Sequence, residues 1–247
     1  MEKYIFVHVP KTAGTSIRSL LCKKLGPSNI SPPFDAKPLS VEQAYQLDSY
    51  SMIFGHISYS DIKKFFPDRK LITFLREPVA RCLSIYGFFR QQTEHPLIPL
   101  DQIKSENNPY EATSLARQLD VDSFFMSNHP HVLQNVQNRI VWQLGATVQY
   151  SSRDNENNVL QSAKNFINDI DFVGFYEDFD CDTDRLQKYL SFSCATHIPR
   201  LNFTRSPIRS HDISESTRKL ICDLNELDIC LYDYAISHLK KNLRGGC

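Results

Sequence analysis

The sequence YIFVHVPKTAGTSIRSLLCKKL, residues 4–25, decides the fold class of this chain. It opens with a short apolar run over residues 4–9, which is typical of a buried strand. A turn-like stretch over residues 11–15 follows, and apolar residues then recur at helical spacing between 17 and 25 until Gly26 ends the helix. The stretch therefore predicts a strand, a tight loop and a helix in succession.

The alternation of strand and helix continues along the chain. Apolar runs predict further strands at 51–55, 70–75 and 171–175. Strands that alternate with helices form a mainly parallel sheet with helices on its faces. No repeat and no linker divides the sequence, so we expect a single α/β domain over residues 1–247.

Capping residues mark where several helices begin. Ser40 and Gln43 form a capping box, and Pro78 is suited to the first turn of a strongly apolar helix. Asp212 is expected to start the C-terminal helices, which are predicted over roughly 213–242.

The composition excludes several classes of protein. Lys and Arg number 28, as do Asp and Glu, so the formal net charge is zero, which argues against a broad nucleic-acid or membrane binder. The seven cysteines contain no CxxC pair, which argues against a disulfide framework or a zinc knuckle. The sequence has no signal-peptide pattern and no run of about 18 apolar residues, so we expect a cytoplasmic protein without a transmembrane segment.

The loop after the first strand has the chemistry of an anion site. A strand, a tight loop and a helix N-terminus together direct backbone N–H groups and the positive end of a helix dipole at one point. A lysine adds a point charge and three hydroxyl side chains add donors, so a phosphate or sulfate group is the expected ligand. The residues predicted to bind it are Lys11, Thr12, Ala13, Gly14, Thr15 and Ser16.

A nucleoside-triphosphate P-loop is the obvious alternative, but the pattern differs. A Walker loop reads GxxxxGK[ST], with its lysine after the second glycine. Here Lys11 precedes Gly14, and no second glycine is present in the loop. An ordinary strand–helix turn with a surface lysine is the other interpretation of this stretch.

A second candidate anion site follows the strand at 70–75. Arg76 comes directly after that strand, and Ser84 lies on the next helix, away from its apolar stripe. Ligands of open α/β sheets bind outside the carboxyl ends of the strands, where Lys11 is also expected. An arginine fork with a serine hydroxyl suits a second phosphate, so the two sites predict a nucleotide with two anionic groups.

Four segments resemble those of PAPS-dependent sulfotransferases, the enzymes that use 3′-phosphoadenylyl sulfate. VPKTAGTS at 9–16 is similar to their 5′-phosphosulfate loop, and FLREPVARCLSIY at 74–86 is similar to their 3′-phosphate motif. FGHISYS at 54–60 resembles the segment that carries the catalytic histidine of uronosyl (heparan and dermatan) 2-O-sulfotransferases, and FVGFYEDF at 172–179 also matches in order and spacing.

The resemblance implies a P-loop-like three-layer α/β fold and transfer of a sulfuryl group from PAPS to an acceptor hydroxyl, without a metal. It implies that the loop around Lys11 binds the 5′-phosphosulfate and that Arg76 and Ser84 bind the 3′-phosphate. His56 is then the general base, and Lys11 neutralises charge on the leaving phosphate oxygen. Glu77 and Glu177 are the alternative bases, and His8 is expected to be structural.

Two later segments extend the resemblance. Asn135, Gln137 and Arg139 match an Asn-x-Gln-x-Arg signature of carbohydrate sulfotransferases, which implies contact with the acceptor or cofactor; ordinary helix capping is the alternative interpretation. Arg205 and Ser210 lie in a stretch that is similar to the late basic loop over the nucleotide. Phe203 or Tyr176 is the candidate for stacking on adenine.

The absence of an anchor and the short length suggest a compact bacterial-type enzyme rather than a Golgi enzyme. A saccharide or glycolipid hydroxyl is the first choice of acceptor and a small-molecule hydroxyl the second. An ATP-dependent kinase of the P-loop type and a non-catalytic module that binds PAP, the 3′,5′-bisphosphate product, are the alternatives.

Overall fold

The structure is a computed structural model that describes residues 2–34, 38–104, 108, 110–145, 156–193, 196–201, 208–209 and 211–239. The chain divides into two compact units. The first comprises Met1–Arg76, Ile140–Asn202 and Cys230–Cys247, and the second comprises Glu77–Arg139 and Phe203–Ile229. Each unit is described by itself.

A parallel β-sheet forms the centre of the first unit. Its strands are β1 (Tyr4–Val7), β2 (Met52–Gly55), β3 (Lys70–Leu75) and β4 (Phe172–Phe175). They are arranged in the order β2-β1-β3-β4, and every pairing is parallel. The predicted α/β fold with a central parallel sheet flanked by helices is therefore confirmed, and all four strands lie where apolar runs indicated.

Helices account for most of the remaining described residues. In chain order they are α1 (Gly14–Leu25), α2 (Val41–Asp48), α3 (Tyr59–Phe65), α4 (Pro78–Gln91), α5 (Glu111–Gln118), α6 (Val121–Met126), α7 (Pro130–Val136), α8 (Arg139–Gly145), α9 (Glu156–Asp169), α10 (Phe179–Tyr189), α11 (Glu215–Leu224) and α12 (Glu226–Leu239). Single 3₁₀ turns lie at Pro27–Asn29, Leu100–Gln102 and Tyr176–Asp178.

The sheet is apolar on both faces, as parallel sheets usually are. Ile5, Phe6 and Val7 of β1 are completely buried. The Phe6 ring stacks on that of Phe54 in β2 at a centroid distance of 4.7 Å, and Ile17 on the apolar face of α1 is buried in the same cluster. Burial of each such side chain stabilises the folded state by about 1.5–3 kcal/mol. The packing of this core therefore fixes where β1 ends and α1 begins.

The second unit is built around α4. Its buried residues, such as Leu83 and Tyr86, pack in one cluster with residues of α5, α6, α7 and α11. The Tyr86 hydroxyl donates to the Leu119 carbonyl at 2.9 Å, so the ring is buried without losing its hydrogen bond. Arg81, on the same helix, is also completely buried.

The helix starts follow the local chemistry, with one correction. Ser40 and Gln43 form the predicted capping box at α2. Asp212 does not start α11, because the Ser214 side chain accepts the N–H of Thr217 and is the N-cap. Asp212 instead accepts the N–H of Arg209.

Two further findings concern cysteine and membranes. Cys181 takes part in a disulfide, which the cysteine spacing had not indicated, whereas Cys22, Cys82, Cys222 and Cys230 are free thiols. Among the described helices, none combines the length and apolar character needed to cross a bilayer.

Candidate active site

The order of the strands creates a crevice between β1 and β3. The chain leaves β1 for β2 on one side and then returns to β3 on the other, so these two neighbours form the switch point at which ligands bind in open α/β sheets. Arg76 directly follows β3, and Lys11 lies four residues beyond the end of β1. Nη1 of Arg76 donates to the backbone carbonyl of Lys11 at 3.3 Å, and the charge of Arg76 helps to lower the pKa of the Lys11 ammonium, so both predicted cations lie near this point.

The loop between β1 and α1 adopts a strained backbone without glycine at the strained positions. Lys11 has a φ of 68° and Ala13 a φ of 79°, both in the left-handed region. Such residues cost on the order of 1–3 kcal/mol each and cluster at ligand sites. Left-handed Ala13 followed by helical Gly14 makes a concave group of N–H donors at the start of α1, which favours an anion.

The hydroxyl groups of this loop have different roles. Thr12 is completely buried, and its hydroxyl donates to the Val9 carbonyl at 2.8 Å, so this side chain holds the loop. Ser16 Oγ accepts the N–H of Leu201 at 2.8 Å, which ties the start of the late loop to α1. Thr15 is exposed at the first turn of α1.

His56 follows β2 and faces the end of β1. Its Nδ1 lies 2.6 Å from the carbonyl oxygen of His8. A carbonyl can only accept, so Nδ1 carries the proton and, in the neutral ring, Nε2 carries the lone pair. Gly55 precedes His56 because the Phe34 carbonyl would lie 2.3 Å from any Cβ placed there.

Burial and like charges shift two pKa values at the site. Burial, with a smaller contribution from the positive charge of Arg76, lowers the pKa of Lys11 to about 8. Burial, with smaller contributions from His56 and Lys11, lowers the pKa of His8 to about 3. Lys11 is therefore still mainly charged at neutral pH, whereas His8 is neutral.

Two arginine side chains lie against the ring of Tyr176 beside the crevice. The guanidinium of Arg76 lies 4.1 Å from the ring centroid of Tyr176, and that of Arg200 lies 5.5 Å from it. Arg200 also donates to Asp180 at 3.3 Å. Tyr176, the candidate for stacking on adenine, thus contacts two guanidinium groups, and no sequence motif marks Arg200.

The other predicted site residues are placed differently. Lys11, residues 12–16, His56 and Arg76 come together in the first unit. The second unit carries Ser84, part-buried on α4, Asn135 in the last turn of α7, Gln137 directly after α7, and Arg139 at the start of α8. Arg205, Ser210 and Phe203 lie outside the described residues.

The segment from 135 to 139 is engaged in local structure. The Asn135 side chain donates to the His131 carbonyl at 2.8 Å, one turn back in α7. Buried Arg81 donates to the carbonyls of Asn135 and Val136 at 3.1 and 2.7 Å. Asn138 Oδ1 accepts the N–H groups of residues 227 and 228, at the start of α12.

The two alternative bases are also engaged. The Glu77 carboxylate accepts the N–H groups of Val79 and Ala80 and caps α4. Glu177 accepts the Tyr232 hydroxyl at 2.7 Å. Within the described parts of the chain, no cluster of three or more His, Cys, Asp or Glu could hold a metal ion.

Comparison with known proteins supplies the family. A family model described as "Sulfotransferase family" matches residues 2–235. Among solved structures, mouse sulfotransferase SULT7A1 complexed with PAP is similar at 15% sequence identity and a TM-score of 0.47, with 96% of this chain and 89% of the mouse chain covered. A search of curated proteins finds no match.

Proposed function

The chain belongs to the sulfotransferase family, and on this premise we propose that it transfers a sulfuryl group from PAPS to an acceptor hydroxyl. One observation carries the proposal. Lys11, Arg76 and the N-terminus of α1 meet at the β1–β3 switch point, and His56 follows the neighbouring strand β2. This arrangement provides an anion site and a basic nitrogen on one edge of a single sheet.

The cations and the helix terminus fit a donor with two anionic groups. PAPS supplies an activated sulfuryl group on its 5′-phosphate and a second phosphate at the 3′ position. Lys11 and the N–H groups of residues 13–16 suit the phosphosulfate, since a helix N-terminus and a part-buried ammonium both favour anions. Arg76 suits the 3′-phosphate, with Ser84, Arg205 and Ser210 as its proposed partners.

His56 is proposed as the general base. Because its Nδ1–H is engaged by the His8 carbonyl, Nε2 is the nitrogen that takes the proton of the acceptor hydroxyl. The acceptor oxygen forms a bond to sulfur while the bond from sulfur to the 5′-phosphate oxygen breaks. The products are the sulfate ester and PAP, and the proton stays on His56 until it passes to solvent.

Lys11 is proposed to act on the leaving group. Negative charge accumulates on the phosphate oxygen as its bond to sulfur breaks, and an ammonium held nearby stabilises that charge. Lys11 is part-buried, so water screens its charge less than that of a surface lysine. The N–H groups of the loop are already oriented, and they need no reorganisation during transfer.

The acceptor class rests on resemblance. The similarity of residues 54–60 to uronosyl 2-O-sulfotransferases favours a saccharide or glycolipid hydroxyl, with Asn135, Gln137 and Arg139 as proposed contacts. We also propose a compact bacterial-type enzyme in which residues 1–247 serve this one activity. The sequence predicts a cytoplasmic protein, whereas the disulfide at Cys181 favours an oxidising compartment. Disulfides persist mainly under oxidising conditions.

Calorimetric titration tests the donor site. The purified protein is titrated with PAP and, separately, with ATP and Mg²⁺. We expect PAP to bind at least 10-fold more tightly than ATP, and Arg76→Ala to weaken PAP binding by about 10-fold or more, as expected for loss of a charge-assisted contact.

Arg185→Ala is the matched control for Arg76→Ala. Arg185 also lies over an aromatic ring, that of Phe172 at 5.1 Å, but Phe172 is the first residue of β4, at the amino edge of the sheet. This variant should leave PAP affinity within about twofold of wild type. Preference for ATP would overturn the proposal in favour of a kinase.

A further inference from the structure

His8 contacts two parts of the proposed site, His56 and the start of α1. Its carbonyl oxygen accepts from His56 Nδ1 at 2.6 Å, and its ring stacks on the His56 ring at a centroid distance of 4.8 Å and an interplanar angle of 24°. On its other side, a Cβ added to Gly14 would lie 2.0 Å from His8 Nε2. The His8 ring thus occupies the space that the missing side chain of Gly14 leaves open.

The surroundings of His8 hold this ring in place. The His8 N–H donates to the Gly55 carbonyl at 2.8 Å, which ties the backbone directly after β1 to the last residue of β2. The Phe54 ring packs against His8 at 5.5 Å. His8 is therefore set between the start of α1 and the proposed base.

We propose that His8 is a positioning residue for His56: its ring keeps the His56 ring in the single orientation in which Nδ1 meets the His8 carbonyl and Nε2 carries the lone pair. The proposal rests on the proposed function, in which His56 removes the acceptor proton. It gives a specific role to a residue that was expected from the sequence to be structural.

The side chain and the backbone carbonyl of His8 act on the His56 ring in different ways. The carbonyl is present whatever residue stands at position 8, but it selects the Nδ1–H form only while the His56 ring faces it. If the His56 ring turns over, Nδ1 exchanges places with a carbon and the hydrogen bond is lost. A flat ring stacked at 4.8 Å opposes that rotation, whereas a flexible aliphatic side chain would oppose it less.

Charge supports the same role. His8 remains neutral because burial lowers its pKa to about 3, so it adds no repulsion when His56 becomes an imidazolium. Besides burial, His56 and the Lys11 ammonium also lower the pKa of His8. A neutral ring also offers its face to the imidazolium, which is an attractive cation–π arrangement.

Nuclear magnetic resonance of ¹⁵N-labelled histidine tests the proposal without an acceptor. The ¹⁵N shifts of an imidazole distinguish its two neutral tautomers, and His56→Gln assigns the His56 signals. At about pH 7.5, wild-type His56 should be predominantly Nδ1–H, although neutral histidine in water favours Nε2–H. A predominantly Nε2–H wild-type ring would overturn the proposal.

Two variants separate the ring from the rest of the residue. His8→Phe keeps a stacked ring and should retain the wild-type tautomer, whereas His8→Leu should reduce the Nδ1–H fraction by at least twofold. His8→Gln, also without a ring, replaces His8→Leu if that variant does not fold. An unchanged tautomer in the folded non-aromatic variant would overturn the proposal.

His95→Leu is the control, because His95 also packs against a ring, that of Tyr110 at 4.9 Å, but lies in the second unit. It should leave the His56 signals unchanged. PAP titration of the wild type separates the two proposals: lack of PAP binding would count against sulfuryl transfer, while the His56 tautomer decides the role of His8 independently.

Discussion

The loop after β1 and the segment from 135 to 139 resemble each other in sequence features and differ in their contacts. Both were singled out by polar motifs, and both contain left-handed residues other than glycine, at Lys11 and Ala13 in one and at Asn138 in the other. In the first, the N-terminus of α1 and two cations converge at the edge of the sheet. In the second, Asn135 and Asn138 bind neighbouring backbone groups.

The difference lies in what surrounds each strained backbone. Buried Arg81 binds two carbonyls of the second segment, so a charged side chain there serves the fold. In the loop after β1, the buried hydroxyl of Thr12 holds the backbone, and Lys11 keeps its positive charge at neutral pH. Polar residues in a motif thus mark a constrained backbone, and the burial and partners of each residue decide whether the constraint serves a ligand.

The largest effect is expected for Arg81→Ala, as a loss of stability. The substitution leaves a cavity and removes the donors of two carbonyls, so the free energy of unfolding should fall by about 3–5 kcal/mol. Urea denaturation measures it. Arg90→Ala on the same helix is the control: its exposed side chain donates to Tyr86, and it should cost less than about 1 kcal/mol. An equal loss of unfolding free energy in the two variants would contradict the structural role of Arg81.

Lys11→Ala should show the opposite pattern. Transfer of label from PAPS to an acceptor found by screening should fall about 10²–10³-fold, as for loss of one oxyanion donor. The free energy of unfolding should stay the same or rise, because burial of the charged ammonium lowers its pKa and so opposes folding. Lys3→Ala, which removes the same charge beside the amino end of β1, should change transfer less than about twofold; a comparable loss there would contradict a local role for Lys11.

A smaller effect is expected from pH. The pKa of Lys11 is about 8, so its positive charge is present below that pH and is lost above it. PAP affinity should therefore fall several-fold between about pH 7 and about pH 9 in calorimetric titrations at constant ionic strength. Lys11→Arg should remove this dependence, since a guanidinium stays charged throughout the range. The same loss in Lys11→Arg would assign the titration to another group.

Much of the fold could be predicted because local patterns and tertiary packing agree. The strand at 70–75 was predicted with the bounds of β3, and Ser40 caps α2 as its box indicated. The start of α11 was wrong by two residues, since Asp212 and Ser214 have similar capping chemistry and only the backbone path distinguishes them. Short α3 was missed because seven residues give too little periodicity.

The placement of the two predicted cations followed from the sequence, whereas the contacts around them did not. Lys11 and Arg76 follow strands whose carboxyl ends must share an edge in a parallel sheet, so their meeting follows from topology. The contact of Arg76 and Arg200 with Tyr176 joins residues far apart in sequence, and no motif marks it. The same is true of the bond from Leu201 to Ser16.

The sequence by itself determined the alternation of strand and helix, the loop with its lysine and the family, because these depend on residue types at short spacing. Only the tertiary structure decided that the His8 carbonyl holds Nδ1 of His56, that Gly14 is small to admit the His8 ring, and that Thr12 holds the loop. The physical reason is that hydrogen bonds and steric contacts between distant residues depend on distances of a few ångströms, which the packing of β1 against β2 and α1 sets and which local sequence patterns do not encode.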